Sequence, residues 1–167
     1  NKRNWGLHTH QIDVLTNSDR KSQLLIAPTG SGKTLSGFLP TLIELDRVNF
    51  SGLHTVYVSP LKALAADIKR NLMIPIEEMG LNIKVEDRTG DTTAKTKRQQ
   101  RIDPPQILLT TPESLALLIS FPEANALFAN LERIIIDEIH ALVENKRGHQ
   151  LLLAISRLQS ISKNLRK

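Results

Sequence analysis

APTGSGKT occupies residues 27–34, directly after the short apolar run 24–26 and directly before residues 35–45, which can form a helix. A strand, a glycine-rich turn and a Gly-Lys-Thr sequence that opens a helix together predict a phosphate-binding loop. Gly30 and Gly32 allow a tight turn whose backbone N–H groups point at an anion, and the helix start adds partial positive charge. Lys33 can reach the β- and γ-phosphates of a nucleotide, and the Thr34 hydroxyl can bind Mg²⁺. The motif usually begins with glycine, where this chain has Ala27.

The composition is that of a globular domain. Of 167 residues, 40% are hydrophobic and 23% are charged, and no apolar run is long enough to cross a membrane. The absence of cysteine excludes disulfides and thiolate metal sites. We therefore expect an intracellular protein, cytoplasmic or, in a prokaryote, nucleoid-associated. The net charge of +5 suits a polyanionic partner and is equally common as an aid to solubility.

The two ends of the sequence look cut rather than natural. The first residue is Asn1 rather than Met, and the last residues, 162–167, form a charged tail with a helix-like composition. We expect residues 1–167 to form a single domain and to be a fragment of a larger protein.

Strand-like and helix-like patterns alternate along the chain. The predicted strands are residues 24–26, 54–59, 82–87, 106–111 and 133–136, the last of them a central strand because three isoleucines precede its acids. The predicted helices are residues 11–16, 35–45, 61–79, 92–102, a helix opened by Pro112, and residues 149–162. Pro75 should kink or break the third helix and Gly80 should end it. This alternation predicts an α/β fold with a mostly parallel sheet covered by helices on both faces.

Parallel sheets bind ligands at the carboxyl ends of their strands. That edge would collect the glycine loop, Ser59-Pro60, Thr111-Pro112 and Asp137-Glu138. Thr34 and Asp137 can together hold Mg²⁺, directly or through water, and Glu138 can orient or deprotonate an attacking water. Alone, the two acids could also decorate a helix N-terminus; with the glycine loop upstream they favour a hydrolytic site.

Gln11 and residues 92–102 can each be interpreted in two ways. Gln11 carries a donor and an acceptor that suit the edge of adenine, but alone it is better explained as a surface residue. Residues 92–102 form a basic helix that is either a solvated face or a contact for phosphates.

The order of six motifs resembles the first motor lobe of superfamily 2 DExH-box helicases over nearly the whole chain. They are Gln11, APTGSGKT (27–34), SPLKALA (59–65), TGD (89–91), TTPESL (110–115) and DEIH (137–140). Longer stretches, SPLKALAADIKRNL, RTGDT, PPQILLTTPESLALLIS and Lys146-Arg147-Gly148, resemble the large helicase-related (Lhr) family, which is close to the Ski2-like helicases. The resemblance implies a RecA-like P-loop NTPase fold with ATP and Mg²⁺ as cofactors.

The resemblance also implies roles for individual residues. It implies nucleotide binding for Gln11, as reader of adenine, and for Thr29, Gly30, Ser31, Gly32, Lys33 and Thr34. It implies catalysis for Lys33, Asp137, Glu138 and His140, with Thr34 and Asp137 at the metal and His140 coupling the nucleotide site to the motor. It implies contact with a nucleic-acid strand for Pro60, Lys62, Ala63, Arg88, Thr89, Gly90, Asp91, Thr111, Pro112 and Glu113, mainly through helix starts that hold phosphates without reading bases.

The function implied is that of the ATP-binding lobe of a helicase that moves on and unwinds DNA or RNA–DNA hybrid in DNA repair, with 3′-to-5′ polarity. The alternatives are a non-unwinding superfamily 2 translocase or an ATP-gated nucleic-acid-binding module. A nucleotide kinase or transporter ATPase is disfavoured by TTPESL and SPLKALA. The Ser-Ala-Thr motif, the second lobe with its arginine fingers and the accessory domains lie outside these residues. We therefore expect the isolated chain to fold, to bind nucleotide weakly and to hydrolyse it very slowly.

Overall fold

In the computed structural model, which describes residues 6–28, 30–143, 145–162 and 164–167, four parallel strands form the core. They are β1 (Thr55–Val58), β2 (Val85–Arg88), β3 (Ile107–Thr110) and β4 (Arg133–Ile136), and they lie side by side in the order β2-β3-β1-β4. Every neighbouring pair is parallel, so each strand returns to the sheet through a crossover that contains a helix.

Helices occupy most of the connections between the strands. Their bounds are α1 Thr9–Thr16, α2 Lys33–Arg47, α3 Lys62–Met79, α4 Ala94–Ile102, α5 Pro112–Ile119, α6 Ala124–Phe128 and α7 Lys146–Ile161, with a 3₁₀ turn at Ile139–Ala141. The last helix begins three residues before the predicted start at residue 149. The reason is a cap: the Asn145 side chain accepts hydrogen bonds from the backbone N–H groups of Arg147 and Gly148, which satisfies donors at the helix start.

The helices cover both faces of the sheet, as predicted. Val56 and Val58 of β1 pack into one apolar cluster with α5, α6 and α7. Tyr57 faces the other side and packs into a second cluster with α2 and α3. This alternation along β1 is the period of two expected of a strand buried on both faces.

Residues 24–26 are not a strand, which corrects the sequence-based prediction. Leu24 and Ile26 are 74% and 85% exposed. Gln23 N donates to Lys167 O at 2.8 Å and Lys167 N donates to Lys21 O at 3.0 Å, but among the described residues this pairing does not continue past Gln23. A strand needs a hydrogen-bonded neighbour along its length, and apolar composition alone does not provide one.

The prediction that 133–136 is a central strand is also wrong for the four strands, because β4 is the last in their order. Within the described residues, only its beginning has a neighbour on the outer side. Arg133 forms an isolated parallel bridge with Arg166, in which Ile134 N donates to Arg166 O at 2.8 Å. The run of isoleucines shows burial on two faces and does not show how many strands lie beside it.

Pro75 does not break α3, which runs without interruption from Lys62 to Met79. Proline removes one backbone hydrogen bond from a helix, but Leu72 and Ile76, on either side of it, are both 2% exposed and anchor the helix to the sheet. Gly80 ends the helix as predicted, in the left-handed conformation at φ 69°.

An ionic cluster ties α2 to the beginning of β4. The Glu44 carboxylate accepts two hydrogen bonds from Arg133, at 3.1 and 3.2 Å, and two from Arg166, at 2.8 and 3.1 Å. His54 Nε2 lies 3.4 Å from Glu44 Oε2. Burial raises the pKa of Glu44, but the hydrogen bond with His54 and the charges of the two arginines outweigh it and hold the pKa at about 2. Glu44 is therefore ionised throughout the physiological range.

None of the described helices is both long enough and apolar enough to cross a lipid bilayer.

Candidate nucleotide and nucleic-acid site

The predicted site residues meet at one edge of the sheet. Val58 of β1 pairs with Thr110 of β3 and with Ile136 of β4. Ser59, Thr111 and Asp137 are the next residues along these strands, so they emerge side by side.

The glycine loop leads directly into α2 at this edge. Gly30 and Gly32 adopt left-handed backbone conformations, at φ 79° and 80°, and Gly32 is the N-cap of the helix. Ser31 Oγ is buried and, among the described residues, has no hydrogen-bond partner. Thr29 lies outside the described residues. A left-handed turn with free donors at a helix start is a local structure that receives anions.

Lys33 curls back over the loop. Its ammonium group donates to the carbonyl oxygens of Ala27, at 2.6 Å, and Pro28, at 3.0 Å. These bonds hold a positive charge at the mouth of the loop, within reach of an anion bound there.

Close packing of α2 on β4 brings the loop and the acidic pair together. A Cβ on Gly37 would lie 3.3 Å from Ile135 Cγ2, so the absence of a side chain at Gly37 allows the helix to approach the strand. As a result Thr34 Oγ1 lies 3.4 Å from Asp137 Oδ2. A hydroxyl and a carboxylate, 103 residues apart in sequence, thus face each other.

Glu138 has an unusual backbone. Its φ of 49° makes it the only non-glycine residue with positive φ in the part of the chain that the structure describes. Its N–H donates to Asp137 Oδ1 at 2.8 Å, and its carboxylate lies 3.3 Å from His140 Nε2. Such backbone strain is concentrated at functional sites.

Gln11 is buried against the glycine loop rather than exposed on the surface. It is 6% exposed, and its Oε1 accepts a hydrogen bond from His8 N at 3.0 Å at the start of α1. Its Nε2 lies 3.3 Å from the position that a Cβ on Gly32 would take. The structure thus places Gln11 beside the loop, and its reading of adenine stays a prediction.

At the same edge, two of the predicted strand-binding segments touch. Lys62 Nζ, at the start of α3, lies 2.9 Å from Asp91 Oδ1, and both side chains are more than half exposed. A Cβ on Gly90 would lie 3.1 Å from Lys62 Nζ. Ala63 is exposed beside Lys62, whereas Pro60 is buried. The exposed cation and the glycine turn thus lie together at the carboxyl edge of the sheet.

Arg88 and Thr89 are buried, at 4% and 7% exposure. The Arg88 guanidinium donates to Lys97 O at 2.8 Å and to Gln100 Oε1 at 3.2 Å. Arg88 therefore fastens α4 to the end of β2, and its side chain is turned into the protein. The contact that the resemblance implies for this segment, through backbone N–H groups, stays a prediction. A basic residue before a turn is expected at the surface, but Gln100 supplies a buried partner that sequence does not reveal.

The start of α5 is fixed by its own side chains. Thr111 Oγ1 accepts from Ser114 N at 3.4 Å, which makes Thr111 the predicted N-cap, and Pro112 takes the first helical position. Glu113 pairs with Arg147, whose Nη2 lies 3.3 Å from Glu113 Oε2. Burial raises the pKa of Glu113, but the hydrogen bond from Arg147 outweighs it, so the net pKa is below its ordinary value.

Comparison with known proteins identifies the family of this domain. The DEAD/DEAH box helicase family model matches residues 8–166. The chain belongs to the DEAD/DEAH box helicase family.

Two relatives within this helicase family carry the Lhr name, as the resemblance implied. ATP-dependent helicase Lhr-Core protein 2 of Thermococcus barophilus is 43% identical over 154 residues, which are 83% of this chain and 18% of that protein. Lhr helicase/uracil glycosylase of Escherichia coli is 40% identical over 157 residues, with 83% of this chain and 10% of that protein covered. The chain thus spans less than a fifth of the length of these relatives.

Solved helicase structures confirm the predicted RecA-like α/β fold. The helicase Lhr of Mycobacterium smegmatis, bound to ssDNA and AMP-PNP, superposes with a TM-score of 0.81 at 39% identity and covers 92% of this chain and 21% of that one. The DUF1998 helicase MrfA, bound to DNA and AMPPNP, gives a TM-score of 0.86 at 29% identity, with 99% and 24% covered.

Sequence reasoning missed two residues of the helicase site. Tyr57, in β1, donates to Asp137 Oδ2 at 2.7 Å. Arg147 donates to Glu113 and, at 2.6 Å, to Pro60 O. Tyr57 was indistinguishable from an apolar strand residue. Arg147 had a signal, because it follows the acidic motif in the Lhr-like pattern, but nothing in the sequence indicated its partners.

Proposed function

We propose that this chain is the ATP-binding lobe of an Lhr-like helicase that couples ATP hydrolysis to movement along, and unwinding of, DNA or RNA–DNA hybrid. The observation that carries the proposal is the 3.4 Å contact between Thr34 Oγ1 and Asp137 Oδ2 at the mouth of the glycine loop. It juxtaposes two oxygen ligands with a phosphate-binding turn. Membership of the helicase family supports the choice of ATP.

The residues at this edge fit a magnesium nucleotide. Gly30 and Gly32 shape the turn for phosphate, and the unpartnered Ser31 hydroxyl in the described loop is free to bond a ligand oxygen. Mg²⁺ usually takes only one or two protein oxygens, with phosphate and water completing its shell. Thr34 and Asp137 supply such a sparse set, and the described residues contain no cluster of three or more His, Cys, Asp or Glu that could hold an ion. When bound, Mg²⁺ neutralises charge on the β- and γ-phosphate oxygens.

The chain's own residues supply the rest of the chemistry. Lys33 exchanges its bonds to the loop carbonyls for bonds to the β- and γ-phosphates. Glu138 orients the attacking water and accepts its proton, since its carboxylate is partly exposed and its backbone N–H is bonded to Asp137. His140, next to Glu138, passes the state of this carboxylate to the rest of the motor.

The proposed partner at the exposed edge is a single nucleic-acid strand. Lys62 offers an exposed charge, and Gly90 and Asp91 lie beside it. Contacts of this kind hold phosphates without reading bases, so they suit tracking along any sequence. A role in DNA repair and a cytoplasmic location complete the proposal.

A second RecA-like lobe is the proposed protein partner. An arginine supplied in trans accounts for ~10³–10⁵ in rate in related phosphoryl transfer. The 167-residue chain should therefore bind nucleotide weakly and hydrolyse it very slowly.

Nucleotide binding by Lys33→Ala tests the site. A fluorescent ATP analogue should bind the wild-type chain in the presence of Mg²⁺, and Lys33→Ala should abolish the signal. Lys95→Ala, which removes an exposed lysine of α4, is the charge-matched control and should bind normally. Unchanged binding by Lys33→Ala would refute the site.

Strand displacement tests the choice between helicase and translocase. Displacement by a protein that contains both lobes supports the helicase, whereas ATPase stimulation by duplex without displacement supports the translocase. Robust unwinding by the 167 residues alone would contradict the proposed need for a second lobe.

A further inference from the structure

Tyr57 is a buried tyrosine that touches the candidate metal site. It is 0% exposed in the middle of β1, and its hydroxyl lies 2.7 Å from Asp137 Oδ2. A carboxylate cannot donate, so the phenol must be the donor. Burial, and next the Asp137 carboxylate, raise the pKa of Tyr57, which keeps this donor protonated.

The Tyr57 hydroxyl completes the hydrogen bonding of the Asp137 side chain. Oδ1 accepts from Glu138 N at 2.8 Å. Oδ2 accepts from Tyr57 at 2.7 Å and lies 3.4 Å from Thr34 Oγ1. The Tyr57 bond is the shortest of the three, and it is the one contributed from the interior of the sheet.

The core fixes where this hydroxyl can be. The Tyr57 ring stacks on Phe38 of α2, with ring centroids 5.4 Å apart and planes at 28°. Phe38 is 1% exposed and lies one helical turn beyond Thr34. One rigid ring therefore contacts both the helix that carries Thr34 and the carboxylate of Asp137.

We infer that Tyr57 is a positioning residue for the nucleotide site: it holds the Asp137 carboxylate in the orientation that, together with Thr34, receives Mg²⁺. The inference rests on the proposed function, because it takes Thr34 and Asp137 to be the metal-binding pair. Groups that hydrogen-bond a metal ligand typically change metal affinity by about 10–100-fold when they are removed. Tyr57 is such a group for Asp137, and it bonds Oδ2, the oxygen that also faces Thr34.

Tyr57→Phe isolates the hydroxyl, because it keeps the ring and its stacking on Phe38. We expect fluorescent ATP to require about tenfold more Mg²⁺ for half-maximal binding to this variant. Binding measured in excess EDTA should be the same for the variant and the wild type.

Two variants serve as controls. Thr41→Val also removes a buried hydroxyl, one whose contacts are with Thr55, at 3.0 Å, and Arg133, at 3.5 Å, and not with Asp137; it should lose stability without changing the Mg²⁺ requirement. Asp137→Asn should remove the Mg²⁺ dependence altogether. A merely structural role for Tyr57 would make Tyr57→Phe behave like Thr41→Val.

Labelling provides a second measurement that does not need a mutation. Tyr57 is the only tyrosine in the sequence, so 3-fluorotyrosine gives a single ¹⁹F resonance. We expect this resonance to shift when Mg²⁺ and ATP are added together to the wild-type chain. The same addition should leave the resonance unmoved in Lys33→Ala and in Asp137→Asn.

The outcomes separate the two proposals. An unchanged Mg²⁺ requirement in Tyr57→Phe and an unmoved ¹⁹F signal, with Asp137→Asn still impaired, would overturn the role of Tyr57 and leave the nucleotide site standing. A wild-type chain that binds no nucleotide with or without Mg²⁺ would overturn the proposed function and the role of Tyr57 with it.

Discussion

Arg147 donates two hydrogen bonds to the carboxylate of Glu113, although 34 residues separate the two side chains in sequence. The same guanidinium donates to Pro60 O at 2.6 Å. It therefore joins the segment after the acidic pair to the starts of α3 and α5, both of which belong to the proposed strand-binding edge.

Replacing Arg147 should loosen that edge without changing the nucleotide loop. We expect Arg147→Ala to weaken binding of a fluorescent single strand by about tenfold, equivalent to about 1.4 kcal/mol, and to leave nucleotide affinity unchanged. Arg147→Lys should rescue little, because lysine cannot form the two-pronged contact. Fluorescence anisotropy with labelled DNA and RNA strands measures the loss.

The salt dependence of strand binding distinguishes positioning from direct contact. Arg147 is held by both Glu113 and the carbonyl of Pro60, so its loss should leave the slope of log affinity against log salt unchanged. Lys62 also pairs, with Asp91, but both side chains are more than half exposed, so a phosphate can replace Asp91 and Lys62→Ala should reduce the slope by about one. A slope altered by Arg147→Ala would show that Arg147 touches phosphate instead. Arg70→Ala, on an exposed part of α3, should change neither quantity.

Gly148→Ala should be one of the most damaging substitutions in the chain. A Cβ at this position would lie 1.8 Å from the backbone oxygen of Leu142, and backbone cannot move aside as a side chain can. We expect a loss of about 3 kcal/mol in the free energy of unfolding, at the upper end of overpacking effects. Urea denaturation measures it. Gly6→Ala, where a Cβ meets nothing within 4 Å, should change stability by less than about 0.5 kcal/mol.

Gly32→Ala and Gly52→Ala form a matched pair. Both glycines have positive φ, 80° and 95°, so alanine should cost each position about 1–2 kcal/mol of stability. Only at Gly32 does the new Cβ approach a site residue, lying 3.3 Å from Gln11 Nε2. We expect Gly32→Ala alone to weaken nucleotide binding, by about tenfold. Equal nucleotide affinities in the two variants would argue against the loop as the binding site.

Glu44 should make the free energy of unfolding depend on pH in the acid range. Its pKa of about 2 in the folded state lies below the ordinary value of 4.5, so the unfolded chain takes up a proton first as the pH falls. The stabilisation from Glu44 is complete above about pH 4.5 and is lost as the pH falls towards 2, by roughly 3 kcal/mol in all. Glu44→Gln should remove this part of the acid sensitivity.

At neutral pH the same variant should be destabilised. Glutamine leaves Arg133, which is 7% exposed, without its counter-charge, at a cost of about 3–5 kcal/mol. The difference in stability between Glu44→Gln and the wild type should therefore shrink as the pH falls below 4.5. Asp67→Asn, in an exposed pair with Arg70, should show no such trend. A constant difference between pH 7 and pH 3 would contradict the role assigned to Glu44.

Features with a local signal were predictable from the sequence. Thr111 followed by Pro112 predicts a helix start, and Gly80 predicts a helix end. Both are found where they were predicted. The common edge of the site also followed, because strands that alternate with helices usually pair in parallel, which brings their carboxyl ends to one edge.

Features that depend on a distant partner were not predictable. Residues 24–26 have the apolar composition of a strand, but their composition does not show whether another strand lies beside them to pair with. Arg88 looks like a surface residue until Gln100 is placed behind it. Tyr57 looks like one more core aromatic, because nothing in the sequence brings Asp137, 80 residues away, next to its hydroxyl.

The order of the strands also sets the order in which this chain can fold. Thr55, in the strand that ends up second from the edge, pairs with Ile107 on one side and Arg133 on the other. During synthesis β1 therefore has neither of its neighbouring strands to pair with until β3 and then β4 have been made. Pairings this remote in sequence fold slowly, so a chaperone that shields β1 should raise the yield of folded protein more than one that acts on the finished chain.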